Sequence, residues 1–341
     1  MRIDEFDYHL PPELIAQHPS EKRDHSRLLV LHKNNGQIEH RKFYDIIDYL
    51  HKGDILVRNN SRVIPARLKG IKEGTGALVE LLILKINDDI CECLCGNAKV
   101  IKEGSIINFN DILKAECLEV KEEGLRIFKM HYEGLLLEVL SQLGEMPLPP
   151  YITAKLKDKE RYQTTYAKID GSAACPTAGL HFTKELDQKI SDKGITIAEI
   201  TLHVGLGTFR PVKSETVEDH KMHHESFFLD EANAQILQEA KSANKRIIAV
   251  GTTTTRTLET IMQRYGEFKA CSGETDIFIY PPYEFKAIDA QITNFHLPKS
   301  TLLMMISAFC SKEMIFKTYQ EAIKEGYRFF SFGDAMFIDN E

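Results

Sequence analysis

Arg246-Ile-Ile-Ala-Val250, running straight into Gly251-Thr-Thr-Thr-Thr-Arg256, is the stretch on which the fold turns. The apolar run reads as a buried strand and Gly251 as the turn that ends it. Leu258, Ile261, Met262 and Tyr265 form one face of the helix that follows. The same punctuation recurs upstream. Thr183 caps a helix carrying Leu186 and Ile190 that Gly194 ends, a strand follows over 195–204, and Asp230 caps a helix with Ile236, Leu237 and Ala240 on its inner face. Downstream, the sequence predicts a strand over 277–280, a loop over 293–298 and a helix over 302–309. Strands alternating with helices predict a largely parallel sheet covered by helices.

Residues 77–137 have another texture. Short extended runs over 77–84, 90–94, 105–109, 115–120 and 125–132 are separated by Gly, Asn and charged residues, which predicts a small all-β barrel or sandwich. Met146-Pro147-Leu148-Pro149-Pro150 then makes a stiff, non-helical exit. The expected fold class is α/β: a discontinuous α/β core, residues 1–68 and 152–341, with a small all-β barrel inserted over residues 69–151.

Composition bounds the function. With 341 residues, 43% of them hydrophobic, the chain can bury a large core, which excludes disorder. Lys and Arg total 43 against 50 Asp and Glu, a net charge of −7, so a charge-driven nucleic-acid coat is excluded while a local basic groove is not. No basic-then-apolar leader precedes Pro11-Pro12, and the longest strongly apolar run, 302–306, is too short to cross a bilayer. Seven cysteines, an odd number in a chain this long, point to a reducing compartment, and a cytoplasmic monomer is expected. Cys91, Cys93 and Cys95 alternate, which places them on one face of a strand rather than in the C-x-x-C pairs of zinc sites.

Polar residues crowd the predicted strand ends, where open α/β sheets bind ligands. Gly251 and the first turn with Thr252 and Thr253 offer free N–H groups to an anion, or are simply a threonine-capped helix; the Walker spacing is absent. Gly205-Leu206-Gly207 lacks the third glycine of a dinucleotide loop, which falls on Arg210, so these glycines serve close backbone approach to a ligand or strand. His220, His223, His224 and Glu225 lie close in sequence but lack the H-E-x-x-H order, favouring acid–base roles over metal, and no metal is expected. His181 and His296 sit in Gly- or Pro-punctuated segments suited to chemistry, while Cys175 has no base beside it. Lys155, Lys157, Lys159 and Arg161, interleaved with Tyr151, Tyr162 and Tyr166, fit an RNA surface of phosphate-binding cations and base-stacking aromatics; a solvated loop is the plainer alternative.

Taken together these segments resemble the S-adenosylmethionine:tRNA ribosyltransferase-isomerases of queuosine biosynthesis. The resemblance runs through Phe6-Asp7-Tyr8, Arg23-Asp24 with Ser26-Arg27-Leu28, Arg62-Val-Ile-Pro-Ala-Arg67, Pro147-Leu-Pro-Pro-Tyr-Ile152, Pro176-Thr-Ala-Gly-Leu-His-Phe-Thr183, Thr201-Leu-His-Val-Gly-Leu-Gly-Thr-Phe209, Thr293-Asn-Phe-His-Leu-Pro298 and Phe329-Phe-Ser-Phe-Gly-Asp-Ala-Met336. Asn59-Asn60-Ser61 stands where the family carries Asn-Asp-Thr, and Cys175 where it carries Ala.

The resemblance implies an enzyme, a transferase-isomerase, with the same architecture and an unusual use of its co-substrate. The ribosyl part of S-adenosylmethionine passes to 7-aminomethyl-7-deazaguanine (preQ1) at the tRNA wobble position, giving epoxyqueuosine and releasing adenine and methionine. No prosthetic group is implied, and no membrane partner. Such chemistry needs a base for the ribose C5′ proton, a proton relay near the departing adenine and an anchor for the methionine carboxylate. The candidates are His181 or His203 as base, Glu225 or His223 as relay, Arg256 as anchor, Thr252, Thr253, Gly205 and Gly207 around the co-substrate, and Arg62, Arg67, Asn294 and His296 with the basic stretch for tRNA. A non-catalytic tRNA-binding protein and an S-adenosylmethionine-dependent tRNA methyltransferase are the alternatives.

Overall fold

The computed structural model describes residues 1–205, 207, 212 and 214–340. Its larger part is a nine-stranded sheet in the order Cys271–Thr275, Glu225–Leu229, Thr196–Leu202, Ile55–Asn59, Ile247–Val250, Ala290–Asn294, Ala335–Asp339, Arg27–His32, Gln37–Lys42. From Thr196–Leu202 to Ala290–Asn294 the strands run parallel. Their flanks are antiparallel to them, so the sheet is mixed rather than largely parallel. That difference matters for the site. Asn59, Leu202, Val250 and Asn294 end their strands along one edge, and the antiparallel neighbours bring Glu225 and Ala335 to the same edge as first residues.

Alternation along each strand divides the side chains between two helical layers. Leu29, Val57, Ala249 and Ile338 face Leu237, Leu258, Ile261 and Met304. Leu28, Leu56, Ile248 and Phe337 face Phe43, Phe182 and Leu186. The helices begin where the sequence predicts: Thr183 accepts from the Leu186 N–H, Asp230 from the Asn233 N–H, and the helix Thr252–Tyr265 starts at Gly251.

Six strands, Arg67–Lys72, Leu78–Asn87, Ile90–Gly96, Ile106–Phe109, Leu113–Val120 and Leu125–Tyr132, close into an antiparallel barrel, and the α/β fold with an inserted barrel is the one expected. The first of them was not anticipated, because Gly70 and alternating Lys residues dilute its apolar pattern. Cys91, Cys93 and Cys95 lie on the inner face as free thiols. The chain returns through the helix Leu136–Leu143 and the proline segment.

Two expected elements differ. Residues 277–280 form no strand; Pro281 and Pro282 follow at once and remove the donors a ladder needs, and the strand lies earlier, at Cys271–Thr275. Thr293 and Asn294, expected in a loop, close the strand Ala290–Asn294. Among the described residues no helix is long and apolar enough to cross a membrane.

Candidate functional site

Asn59 stitches the edge together. It ends its strand fully buried, accepts from the Ser61 N–H at 3.1 Å and the Leu202 N–H at 3.0 Å, and donates to the Leu202 carbonyl at 2.9 Å. Its amide also reaches Thr253 Oγ1 at 3.3 Å, so two strand ends and a helix start are fixed by one side chain. Thr252 is buried beside it and Thr253 half-buried. Gly251 holds φ +86° and packs against Ala178, a conformation L side chains rarely adopt.

Arg256, in the first turns of that helix, is 6% exposed, and its Nη1 donates to Glu225 Oε2. Glu225 Oε1 accepts from the Gly205 N–H at 2.9 Å. The proposed relay and the proposed anchor thus form one buried pair. Arg256 Nε and Nη2 remain buried without partners, which leaves one complete edge of the guanidinium unused. Gly207 faces the His223 ring. Residues 206 and 208–211, including Arg210, lie outside the described residues.

The candidate bases differ in setting. His203 is half-buried just past Leu202, its Nδ1 sharing a hydrogen bond with Ser61 Oγ at 2.8 Å. Gly171 lies so close that a Cβ there would meet the imidazole at 2.9 Å. Burial lowers the His203 pKa while Asp170 pulls it up. His181 is not in an open loop but ends the short turn Thr177–His181, 4% exposed, stacked on Phe43 and bonded through Nδ1 to Ser26 Oγ at 2.7 Å. Burial pushes its pKa down to about 3, with Arg328 acting the same way and Asn294 the other. Neither His181 Nε2 nor Asn294 Oδ1 completes a hydrogen bond. His296 is clamped: Nε2 bonds Thr293 Oγ1 at 2.8 Å, its N–H donates to Tyr319, its carbonyl accepts from Tyr8, and burial pushes its pKa to about 3.

The residues expected on tRNA separate into two groups. Lys155, Lys157 and Lys159 are exposed. Arg62 meets Glu160 at 2.6 Å, Arg67 meets Glu80 at 2.8 Å and the Leu148 carbonyl at 3.2 Å, and Arg161 donates to the Ser20 and Glu21 carbonyls. The interleaved tyrosines are not a stacking surface: Tyr162 and Tyr166 are buried, and Tyr151 bonds Ser331 at 2.6 Å. Among the described residues no group of three or more His, Cys, Asp or Glu converges as a metal cage, the stretch 220–225 included.

Sequence reasoning missed Ser26, Ser61, Gly171, Arg23 and Arg328, which surround the two histidines. Arg23 and Ser26 sit in the motifs given above, Ser61 ends Asn59-Asn60-Ser61 and Gly171 begins a polar stretch before Pro176; the place of Arg328 is revealed by the fold alone.

A mixed sheet with buried polar side chains at its parallel strand ends, interrupted by a barrel, has the layout of α/β enzymes, which carry their ligands at that edge. The chain belongs to the family described as queuosine biosynthesis protein, whose pattern it matches over residues 3–338. It is 58% identical over 340 residues, 99% of this chain and 100% of the relative, to the S-adenosylmethionine:tRNA ribosyltransferase-isomerase of Staphylococcus haemolyticus (strain JCSC1435). The enzyme of that name from Staphylococcus epidermidis (strain ATCC 12228) is also 58% identical over 340 residues, again 99% of this chain and 100% of the relative. A crystal structure of S-adenosylmethionine tRNA ribosyltransferase from Thermotoga maritima shares 42% identity, covers 98% of this chain and 99% of its own, and superposes with a TM-score of 0.57.

Proposed function

We propose that this chain moves and isomerises the ribosyl group of S-adenosylmethionine onto the aminomethyl group of preQ1 at the tRNA wobble position, giving epoxyqueuosine, adenine and methionine. The observation that carries the reading is end-to-end identity of 58% to enzymes named for this reaction. The sulfonium acidifies the ribose C5′ hydrogens; loss of one starts departure of adenine, the tRNA amine attacks the sugar, and methionine leaves as the epoxide closes.

His203 is the better base. It is more open than His181, Ser61 fixes its ring through Nδ1, and Nε2 is left for the substrate. A histidine whose pKa is pushed to about 3 is a poor proton acceptor, so His181 holds rather than abstracts. Arg256 grips the methionine carboxylate with its unused Nε and Nη2 edge, and Glu225 positions that guanidinium instead of relaying protons. His223 remains for the relay. Thr252, Thr253, Gly205 and Gly207 line the co-substrate, Asn294 and His296 the nucleoside, and Arg62 with the exposed lysines the RNA backbone. Arg67, held by Glu80 and the Leu148 carbonyl, ties the barrel to the proline segment.

Incubation with preQ1-tRNA and S-adenosylmethionine, with a chelator present, followed by nucleoside mass spectrometry tests the reaction. Epoxyqueuosine with one adenine released per turnover is expected. S-adenosylhomocysteine would identify a methyltransferase, and tRNA binding without adenine release a non-catalytic module.

A further inference from the structure

Arg23, Arg161 and Arg328 arrive from three segments and gather around Ser20 and His181. Arg161 donates to the carbonyls of Ser20 and Glu21, the latter at 3.2 Å. Arg328 donates to the His18 carbonyl at 3.2 Å and to Ser20 Oγ at 2.5 Å. Arg23 donates to the carbonyls of Leu180 at 3.2 Å and Glu160 at 2.8 Å. Neutral acceptors hold these groups in place without cancelling their charge. The neighbouring carboxylates are engaged: Glu160 with Arg62, Asp158 with the Glu160 N–H, and Asp334 with the N–H groups of Arg27 and Arg328, from which it also reaches Arg328 Nη2 at 3.6 Å. With Arg62 counted beside Glu160, four guanidiniums against the carboxylates of Glu160, Asp158 and Asp334 leave the cluster positive.

Between them lies a cavity of about 20 Å³, bordered by Arg23, Arg161, His181, Ser331 and Gly333, with room for a single oxygen atom. Two of its lining residues carry buried nitrogens that complete no hydrogen bond, Arg161 Nε and His181 Nε2, the latter with the Asn294 side chain beside it. The Ser26 hydroxyl, which also donates to the Arg23 carbonyl at 3.3 Å, shares a hydrogen bond with His181 Nδ1, and Arg161 Nε is an unpaired donor. Leaving the Arg161 Nε donor buried and unpaired costs stability, and an anionic oxygen satisfies it.

We infer that the cavity lined by Arg23 and Arg161, with Arg328 nearby, is an oxyanion subsite that takes one backbone phosphate of the RNA substrate, with one phosphate oxygen seated against Arg161 Nε. The inference rests on the tRNA reading above. A phosphate fits better than the methionine carboxylate because the charge continues over the surface. Arg161 belongs to the turn Lys159–Tyr162 beside the exposed Lys155, Lys157 and Lys159, and Lys22 is exposed next to Arg23. A polyanion uses such a track, whereas the unused edge of Arg256 already suits a single carboxylate.

The test pairs RNA with protein changes. An anticodon stem-loop carrying preQ1 is prepared with one neutral methylphosphonate at each loop phosphate in turn and titrated against the full chain and against Arg161→Gln, with melting temperature and S-adenosylmethionine affinity measured alongside. One position should weaken binding to the unaltered protein by about 10- to 100-fold, and that penalty should shrink to within about 3-fold in Arg161→Gln while S-adenosylmethionine affinity holds. Should Arg161→Gln fail to fold, Arg23→Gln carries the same cycle. Equal penalties in variant and unaltered protein at every position overturn the subsite, and so does a loss of S-adenosylmethionine affinity not shared by its decarboxylated analogue, which assigns the cavity to the carboxylate. An unaltered protein that ignores the stem-loop overturns the functional reading itself.

Discussion

The barrel and the carboxyl edge of the sheet treat buried polar groups in opposite ways. In the barrel, Arg126 is 7% exposed, yet it spreads its donors over the carbonyls of Ala98, Ile101, Lys121 and Leu125. Among the described residues, the barrel strands hold no buried side-chain nitrogen or oxygen without a partner. Along the sheet edge and the loops around it, His181, Arg161, Arg256 and Asn294 all keep such atoms. A structure that satisfies its interior is a scaffold; one that leaves donors and acceptors buried and idle is arranged for a ligand.

The largest effect expected from this contrast is catalytic. His203→Ala should lower turnover by about 10²–10⁴-fold with S-adenosylmethionine affinity retained, whereas His131→Ala on the barrel surface should leave turnover unchanged. Single-turnover adenine release checks both, and near-normal release by His203→Ala would break the assignment. Acid comes next. His181 and His296 have pKa values near 3 when folded against 6.5 when free, so between these values the unfolded chain binds protons that the folded one refuses. Stability is full above pH 6.5 and falls as pH drops, by about 2 kcal/mol per histidine between pH 7 and 5. Urea titrations should show this, His181→Gln should halve it, and the thiols of Cys91 and Cys93 should stay protected longest because the barrel carries only the exposed His131. Arg126→Met in the barrel should cost about 2–4 kcal/mol of stability, since four carbonyls lose a donor, and leave the kinetics of folded enzyme alone. Arg256→Lys should weaken S-adenosylmethionine by about 10-fold at an unchanged melting temperature, because a point charge cannot replace the fork, and the decarboxylated analogue should be indifferent.

Legibility in the sequence follows the same division. Local signals were readable: Thr183 and Asp230 as caps, Gly251 as a turn, and the cysteines on one strand face each follow from a few adjacent residues. Sheet order was not, because neither the antiparallel return of Ala335–Asp339 nor its parallel pairing with Arg27–His32 leaves a local trace. Candidate residues were readable as types but not as partners. Glu225 and Arg256 were each picked out, yet their pairing depends on how two strands and a helix meet, 31 residues apart in the chain. Tyr162 and Tyr166 failed as stacking residues because interleaving with lysines in sequence does not say which side of a loop faces the core.

The smallest effect tests whether exposure alone can carry function. Lys155, Lys157 and Lys159 stand in solvent beside the partly enclosed Arg161, so the two differ in how tightly they could hold a phosphate. Solvent screens an exposed ammonium, and each such contact contributes mainly through counterion release, which flattens the log–log salt dependence by roughly 0.7–0.9 per phosphate neutralised. Replacing all three lysines with Ala should therefore weaken tRNA only several-fold near physiological salt and reduce the slope by about 2, with methylphosphonate penalties at the Arg161 position untouched. Titration of tRNA at several salt concentrations measures both quantities. An unchanged slope would make the lysines a solvated loop and confine RNA recognition to the enclosed guanidiniums, which would sharpen the contrast between satisfied surface and idle interior.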